Sequence, residues 1–366
     1  ARARDVDGSG ARRCGDAVRR RRGARAGEPA RRPGRVLELR ERHPSWGPQK
    51  IAQVLARKLG ANGPSRSTVA RVLVRLGKVR RRRRPARVWS VQGRPRVEVK
   101  APNDLWTIDF KGWWRARNGE KCEPLTVRDA CSRKVLAVQL VPATRATRVR
   151  RVLERLFRRH GLPLAMQSDN GPPFICTRAR GGLTQLSVWL VSLGIRLVRS
   201  RLASPQDNGG HERMHRDLVE LQLTPARSRR AQQPQCDRWM VDFNHVRPHD
   251  ALGGKTPAEV YRNSPRRSLS PKVPTYPPDW ISRRVNRLGN VRVHGDVVFV
   301  GTALVGQIVG LKQESEPHWR ARFFDVDLGT IEILPLTDAF ATDTVIETVT
   351  AIHAKSALRD NAVITA

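Results

Sequence analysis

The chain has 366 residues, with 70 Lys and Arg against 33 Asp and Glu, for a net charge of +37. An excess of that size points to a polyanionic partner, nucleic acid before a membrane surface. No apolar run has transmembrane length and no lipidation signal is present. The five cysteines (Cys14, Cys122, Cys131, Cys176, Cys236) are scattered and never stand in Cys-x-x-Cys spacing, which argues against a thiolate zinc site and against a disulfide framework and fits a reducing cytoplasm.

Residues 1–34 are Arg, Gly and Ala with almost nothing to bury, and are predicted to be a disordered Arg-rich segment. The chain opens on Ala1, not Met, which raises the expectation of a fragment. Residues 35–79 read as a helix-turn-helix. A short helix begins at Val36 and stops before Pro44. A second runs from about Gln49 with Ile51, Val54, Leu55 and Leu59 on one face, and Gly60 and Gly63-Pro64 break it. Ser65 is the N-cap of a third, which carries Val69, Val72, Leu73 and Leu76 and ends at Gly77. The exposed start of that helix offers Arg66, Ser67, Thr68 and Arg71 to base edges and phosphates. Arg80, Arg81, Arg82, Arg83 and Arg84 open a basic linker, residues 80–101, expected to track phosphates.

Residues 102–265 alternate strands and helices, which predicts a mixed α/β sheet. Strands are expected at Leu105–Phe110, Leu125–Val127, Val135–Val141, Leu164–Ser168 and Ile195–Val198. Helices are expected at Thr147–His160, Leu183–Leu193, about Gly210–Leu223 and Gln233–Asn244. A linker at 266–284 follows. Short glycine-punctuated strands at 285–336 predict a small β-barrel, and 337–366 form a tail.

Within the third of those helices stands His211-Glu212-x-x-His215, a spacing that can offer two imidazoles to zinc and a glutamate as base. Gly209-Gly210 precede it, so His211 would sit in the first turn; Leu221 stands where a third histidine is needed, Leu218 where a glycine is expected, and the window for a later glutamate holds only Asp237. A zinc peptidase is therefore the remote reading. The bland one is a helix start with exposed polar residues and Met214, Leu218 and Leu221 packed inward. A third uses Glu212 alone. Asp109 lies in an apolar strand, and Asp169 where another strand ends, before Asn170-Gly171. Buried carboxylates are costly unless paired or metal-bound. A strand Asp, a strand-end Asp and a helix-start Glu together suit a pair of hard cations acting on a phosphodiester.

These residues resemble a known family. Trp106-Thr107-Ile108-Asp109-Phe110, Asp129-x-x-Ser132-Arg133, Ser168-Asp169-Asn170-Gly171-Pro172-Pro173-Phe174, Pro205 through Arg213, and Asn244-x-x-Arg247-Pro248-His249-x-Ala251-Leu252 with Thr256-Pro257 resemble, in order and spacing, the insertion-sequence DDE transposases of the retroviral-integrase superfamily. The resemblance spans about Arg35 to Pro265. It implies an RNase H-like catalytic core, Asp109, Asp169 and Glu212 as a catalytic triad holding two Mg²⁺ (or Mn²⁺) ions, and Asp109 bridging both. It implies cleavage at terminal inverted repeats, joining of 3′ ends to target DNA, and work as a homo-multimer on paired DNA ends in the bacterial cytoplasm, at the nucleoid. It also implies that Asn208, Arg213 and Arg216 lie near DNA; His215 shares Glu212's side of the helix and would face it too.

Three departures stand out. Asp169 and Glu212 are 43 positions apart, longer than the retroviral interval, and Arg178 to Trp189 would be the insert. Around Leu202-Ala203-Ser204 a Pro-Gly-x-Pro turn is expected and only Pro205 remains. Relatives carry a further helix-turn-helix where this chain has residues 1–34, which suggests a truncated or frame-disrupted copy. The alternative function is a catalytically silent DNA-binding protein, a degenerate or domesticated copy acting as a repressor.

Overall fold

The computed structural model describes residues 31–79, 98–199 and 209–333. The chain divides into two compact units, 1–83 and 84–366. Arg80 to Arg84, Asn208 and the expected 202–205 turn lie outside the described residues.

The first unit has three helices, α1 (Arg31–Arg42), α2 (Pro48–Leu59) and α3 (Arg66–Arg75). Their apolar stripes close on one core of Val36, Leu39, Trp46, Ile51, Val54, Leu55, Val69 and Leu73. Proline suits the first turn of α2, where its missing N–H would have no partner, and Gly60 turns the chain at the end with φ of 57°. Ser65 caps α3 by accepting from the Thr68 N–H at 3.2 Å. Two sequence expectations need correction. The first helix starts at Arg31, inside the segment expected to be disordered. Leu76 is 39% exposed, because α3 ends at Arg75 and the stripe ends with it.

The second unit is built on a sheet of β1 (Leu105–Phe110), β2 (Trp114–Arg115), β3 (Lys121–Asp129), β4 (Val135–Val141), β5 (Ala165–Ser168) and β6 (Arg196–Arg199). Hydrogen-bonded neighbours run β4-β3-β1-β5-β6, with β2 on the end of β3. β1, β3 and β4 are antiparallel, and β5 and β6 run parallel to β1. This mixed α/β sheet fits an RNase H-like fold. Helices α4 (Ala146–His160) and α5 (Gln185–Ser192) cover one face, around Trp106, Ile108, Leu125, Val127, Leu153 and Phe157. Helices α6 (Gly209–Asp217), α7 (Glu220–Leu223) and α8 (Arg229–His245) bring Met214, Leu218, Leu221, Trp239 and Phe243 against Val135, Val138 and Leu140 on the other. The expected single helix over 210–223 is thus two, broken where the Leu221 N–H turns back to the Leu218 carbonyl. A short helix α9 (Pro257–Val260) follows, and the Tyr261 hydroxyl donates to Asn103 Oδ1 at 2.8 Å.

Residues 266–284 are not a free linker. Arg266 donates to the carbonyls of Pro163, Gly194 and Leu193, and the Lys272 N–H to that of Ser192. The segment ends in a strand, β7 (Ile281–Arg284), whose pattern Ile-Ser-Arg-Arg gives little sign of one. β7 pairs β10 (Ile308–Gln313) in a four-stranded sheet completed by β11 (His318–Phe323) and β12 (Val326–Glu332). β8 (Asn290–Val293) and β9 (Asp296–Phe299) form a separate hairpin, so among the described residues the pairings do not close into one barrel. Leu183, Val188 and Val191 share the core of these strands. The expected insert therefore lies against the C-terminal sheets, and Arg180 donates to the Thr330 carbonyl at 2.9 Å.

Candidate active site

β1 alternates in the way a strand between two layers does. Trp106 and Ile108 enter the α4/α5 core. Thr107 and Asp109 point to the opposite face, on which α6 lies. The parallel register of β1 and β5 pairs Leu105 with Ala165, Trp106 with Met166 and Thr107 with Gln167. Continued by two positions, it sets Asp169 beside Asp109. Asp169 follows the last residue of β5, where the chain leaves the sheet. Asp109 pairs across to Thr126 of β3. The Thr126 hydroxyl meets His211 Nε2 at 2.6 Å and His215 Nε2 at 2.8 Å, which fastens the first turns of α6, and Glu212 with them, over the same place.

The electrostatics agree with this placement. The Asp109 carboxyl is pushed up to about 6, first by burial, then by the charge of Asp169 and, more weakly, by Glu212, against a lowering backbone N–H. Asp169 is raised as well, by burial, while the Gly171 N–H restrains the rise. A Cβ at Gly171 would lie 3.2 Å from Asp169 Oδ2, so the glycine lets the turn close on the carboxylate. Gly210 serves in the same way, since a Cβ there would collide with the Arg128 guanidinium. Arg128 is buried and pushed down to about 10 by burial and then by the charge of Arg133. Among the described residues, no three His, Cys, Asp or Glu side chains are grouped closely enough to hold one ion together. A cavity of about 720 Å³ lies away from the acids, between Cys176–Gln185 and Phe299–Leu304. Asp169 is exposed.

His211 is fully buried, contrary to the expectation of exposed polar residues at this helix start. Its Nδ1 lies 2.7 Å from Thr107 Oγ1 and its Nε2 contacts Thr126. Both nitrogens are engaged, which leaves none for zinc and removes the reading of a peptidase. Burial, then the charges of His215 and Arg128, hold its pKa well below the ordinary value. His215 does not face outward: it packs edge-on against His211, ring centroids 4.7 Å apart, and burial brings it down to about 4. Arg213 and Arg216 are exposed on α6. In the first unit Arg66, Ser67 and Arg71 are exposed; Thr68 is half-buried with its hydroxyl 3.0 Å from Ser65 Oγ.

Other residues of the resemblance build the frame. Asp129, fully buried, accepts from the Asn103 N–H at 2.7 Å and from the Ser132 N–H and hydroxyl at 2.7 and 2.6 Å. Asn244 holds the start of β4 by accepting from the Val135 N–H at 2.9 Å and donating to its carbonyl at 2.8 Å. Arg247 pairs with Asp217 at 2.7 Å at the end of α6. Sequence reasoning passes over Asn103, Thr107, Thr126 and Arg128. A signal for the first is available in its polar character beside Trp106, whose Nε1 it accepts at 3.1 Å. The threonines stand at the alternate positions of β1 and β3 that leave the apolar core.

Comparison with known proteins places this core. A family described as integrase core domain matches residues 99–205, and a second model of the same description matches 193–257. The chain is 27% identical over 230 residues to an uncharacterized 31.7 kDa protein of insertion element IS407 from Burkholderia multivorans, covering 62% of this chain and 78% of that protein. It is 27% identical over 204 residues to an uncharacterized 39.2 kDa protein of insertion element IS476 from Xanthomonas euvesicatoria, covering 55% and 56%. The catalytic core domain of BIV integrase is 26% identical, with 43% of this chain and 93% of that one covered and a TM-score of 0.33. Residues 99–257 of the chain thus match models of the integrase core domain, and the chain is similar over that region to proteins of insertion elements.

Proposed function

We propose that the chain is a DNA transposase. It cuts phosphodiesters at the terminal inverted repeats of its element and joins the freed 3′ ends to target DNA, with Asp109, Asp169 and Glu212 as the catalytic acids. The observation that carries this is geometric: the β1–β5 register, continued, sets Asp169 beside Asp109, and the Thr126–histidine contacts hold the first turns of α6, with Glu212, over them. The Asp109 carboxyl, raised by burial, then by Asp169 and more weakly by Glu212, agrees with that placement, which is costly without a cation.

The donor set fits Mg²⁺ or Mn²⁺. All three groups are hard oxygen ligands, and Mg²⁺ typically binds one or two carboxylates plus phosphate and water. Asp109, Asp169 and Glu212 would hold two such ions between them, each ion needing only one or two of the carboxylates, and among the described residues no three such side chains are grouped about one point. Two bound ions would favour the attacking oxygen and the charge on the leaving oxygen. In the first step water attacks the phosphorus and the 3′ oxygen leaves, giving a 3′ hydroxyl and a 5′ phosphate. In the second that hydroxyl attacks a target phosphodiester and displaces its 3′ oxygen. The second step is a transesterification, and neither step needs an oxidant or reductant.

The other residues divide between binding and support. Arg213 and Arg216, exposed beside Glu212, contact the phosphates next to the cut. The helices α2 and α3 act as a helix-turn-helix, with Arg66, Ser67 and Arg71 on the open face and Thr68 spent on its cap; the run Arg80 to Arg84 tracks the backbone. The domains follow as helix-turn-helix, basic connection, catalytic core and C-terminal β region, and the active form is a homo-multimer on paired ends at the nucleoid. Among the described residues no helix is long and apolar enough to cross a membrane.

A nicking assay on a duplex with the element's end tests this. Cleavage requiring Mg²⁺ or Mn²⁺ and lost in Asp109→Asn supports it. Tight binding with no cleavage under either ion would establish the silent DNA-binding protein instead. Binding weakens steeply with salt, and Arg66→Ala with Arg71→Ala makes the salt dependence shallower by about 1 for each phosphate no longer neutralised.

A further inference from the structure

His211 has a use that zinc ligation and DNA contact do not account for. Its buried ring spans two strands, with Nδ1 2.7 Å from Thr107 Oγ1 and Nε2 2.6 Å from Thr126 Oγ1. Thr107 stands two residues before Asp109 on the same face of β1. Thr126 is the direct cross-strand partner of Asp109, and its hydroxyl also donates to the Asp109 carbonyl at 2.9 Å.

Hydrogen-bond accounting fixes the direction at Thr126. The Asp109 carbonyl can only accept, so the single hydroxyl hydrogen of Thr126 goes there. Both imidazole nitrogens that meet Thr126 Oγ1 are then donors: His211 Nε2–H at 2.6 Å and His215 Nε2–H at 2.8 Å. With Nε2 donating, His211 meets the Thr107 hydroxyl through Nδ1 at 2.7 Å, the shorter of the two contacts of that hydroxyl, the other being the Arg128 carbonyl at 3.4 Å. The network runs from β1 through α6 and β3 back to the backbone of Asp109. It ties the residue before Glu212 to the residue that carries Asp109.

We propose that the His211–Thr126–Thr107 network is the positioning device that sets Glu212 against Asp109 for cation binding, with His211 and Thr126 as positioning residues that touch neither ion nor DNA. This rests on the reading of the three acids as a cation site. Packing alone does not explain the network. Met214 and Leu218 already anchor α6 in apolar contact, and an apolar side chain at 211 would take the shortest hydrogen-bond partner from each of two buried hydroxyls, leaving Thr107 only the Arg128 carbonyl at 3.4 Å. Orientation of charged ligands by neighbouring hydrogen bonds is worth about 10- to 100-fold in metal affinity where it has been measured in general.

The test uses the full chain and Mn²⁺ alone, followed by electron paramagnetic resonance titration, with strand cleavage as a second readout. Thr126→Val removes the hydroxyl and keeps the shape; Thr126→Ser keeps the hydroxyl. His211→Phe fills the space without hydrogen bonds, and His211→Gln restores a donor toward Thr126. Thr126→Val and His211→Phe are expected to weaken Mn²⁺ binding about 10- to 100-fold. Thr126→Ser should bind as the unaltered chain does, His211→Gln should recover part of the affinity, and DNA binding should be unchanged throughout. Thr126→Val that folds and binds Mn²⁺ as tightly as Thr126→Ser overturns the proposal alone. If Asp109→Asn leaves Mn²⁺ binding of the otherwise unaltered chain untouched, the cation site itself is overturned, and this proposal with it.

Discussion

On one face of the core sheet Trp106, Ile108, Leu125 and Val127 meet α4 and α5; on the other Thr107, Asp109, Thr126 and Arg128 lie toward α6. The same two strands supply both sets, residue by residue in turn. The apolar set interlocks by shape, with Trp106 and Phe157 rings 5.8 Å apart and Phe157 and Trp189 5.7 Å apart. The polar set is held by directed bonds that leave Asp109 with like charges nearby. Stability and the proposed chemistry thus sit one strand step apart, about 3.3 Å along the chain, yet on separate sides of the sheet. Each can be removed without the other.

The largest expected effect breaks the polar face alone. Asp109→Asn, Asp169→Asn and Glu212→Gln should each lower strand cleavage on the order of a thousandfold or more, in line with groups that act as a unit. DNA affinity, read by a gel-shift or anisotropy titration, should stay within about twofold, because the basic contacts lie elsewhere. A variant that cleaves at more than about a tenth of the normal rate would show that its acid is not part of the reacting set.

Next in size is the apolar face alone. Trp106→Ala should cost about 3–5 kcal/mol and Ile108→Ala about 2–5 kcal/mol in denaturant unfolding of the 84–366 unit, since both are fully buried. The cleavage rate per folded molecule should be close to normal at low temperature. Equal destabilisation by Asp109→Asn would undo the division between the faces.

The two faces should also differ in pH dependence. Asp109 has its folded value raised from 3.8 to about 6. Between those values the folded chain holds a proton that the unfolded chain has lost. Stability without cations therefore falls as pH rises from about 3.8 to about 6 and stays lower above. His160, behind Trp106, goes the other way: burial, then nearby cations, bring it from 6.5 to about 4. There the unfolded chain takes up the proton first, so stability is lost as pH falls from about 6.5 to about 4. Asp109→Asn should thus stabilise the cation-free protein at about pH 7 by about 1–3 kcal/mol, toward the lower end because solvent reaches the carboxyl. At about pH 3, below both values, the gain should vanish. Melting curves in a chelator at both pH values read this directly.

How well the sequence can be read follows the same division. Leu105–Phe110 and Val135–Val141 are legible to the residue, because short apolar-rich runs bounded by polar or turn residues mark buried strands. Asp109 stands out because a carboxylate inside such an apolar run is costly unless paired or metal-bound, whereas Asp169 and Glu212 join it only through the order and spacing of the resemblance. β7 is not: Ile-Ser-Arg-Arg becomes a strand only by pairing with β10, a contact no local pattern announces. Nor is the break between α6 and α7, which has no glycine or proline to mark it. His211 reads as a bystander in the sequence, although it stands three and seven positions before Met214 and Leu218, on their buried face. That spacing is the available signal. What the spacing cannot tell is that threonines wait on β1 and β3 to receive both ring nitrogens.

The smallest expected effect lies where the faces meet the turn after β5. Gly171→Ala adds one methyl group 3.2 Å from Asp169 Oδ2, tighter than an ordinary contact, so the carboxylate has to give way by a few tenths of an ångström. Alanine also restricts the unfolded chain, which by itself is worth about 0.4–1 kcal/mol in favour of the fold where the backbone permits it. The two readouts should then part: thermal stability unchanged or slightly raised, and the Mg²⁺ concentration for half-maximal cleavage raised by about two- to tenfold. Excess Mg²⁺ should restore the rate, because the ligand is displaced and not removed. Asp169→Asn offers the contrast, since no concentration of Mg²⁺ returns a missing carboxylate. If Gly171→Ala instead lowers stability and leaves the Mg²⁺ requirement alone, the turn belongs to the frame, and Asp169 is held by something other than the close approach of residue 171.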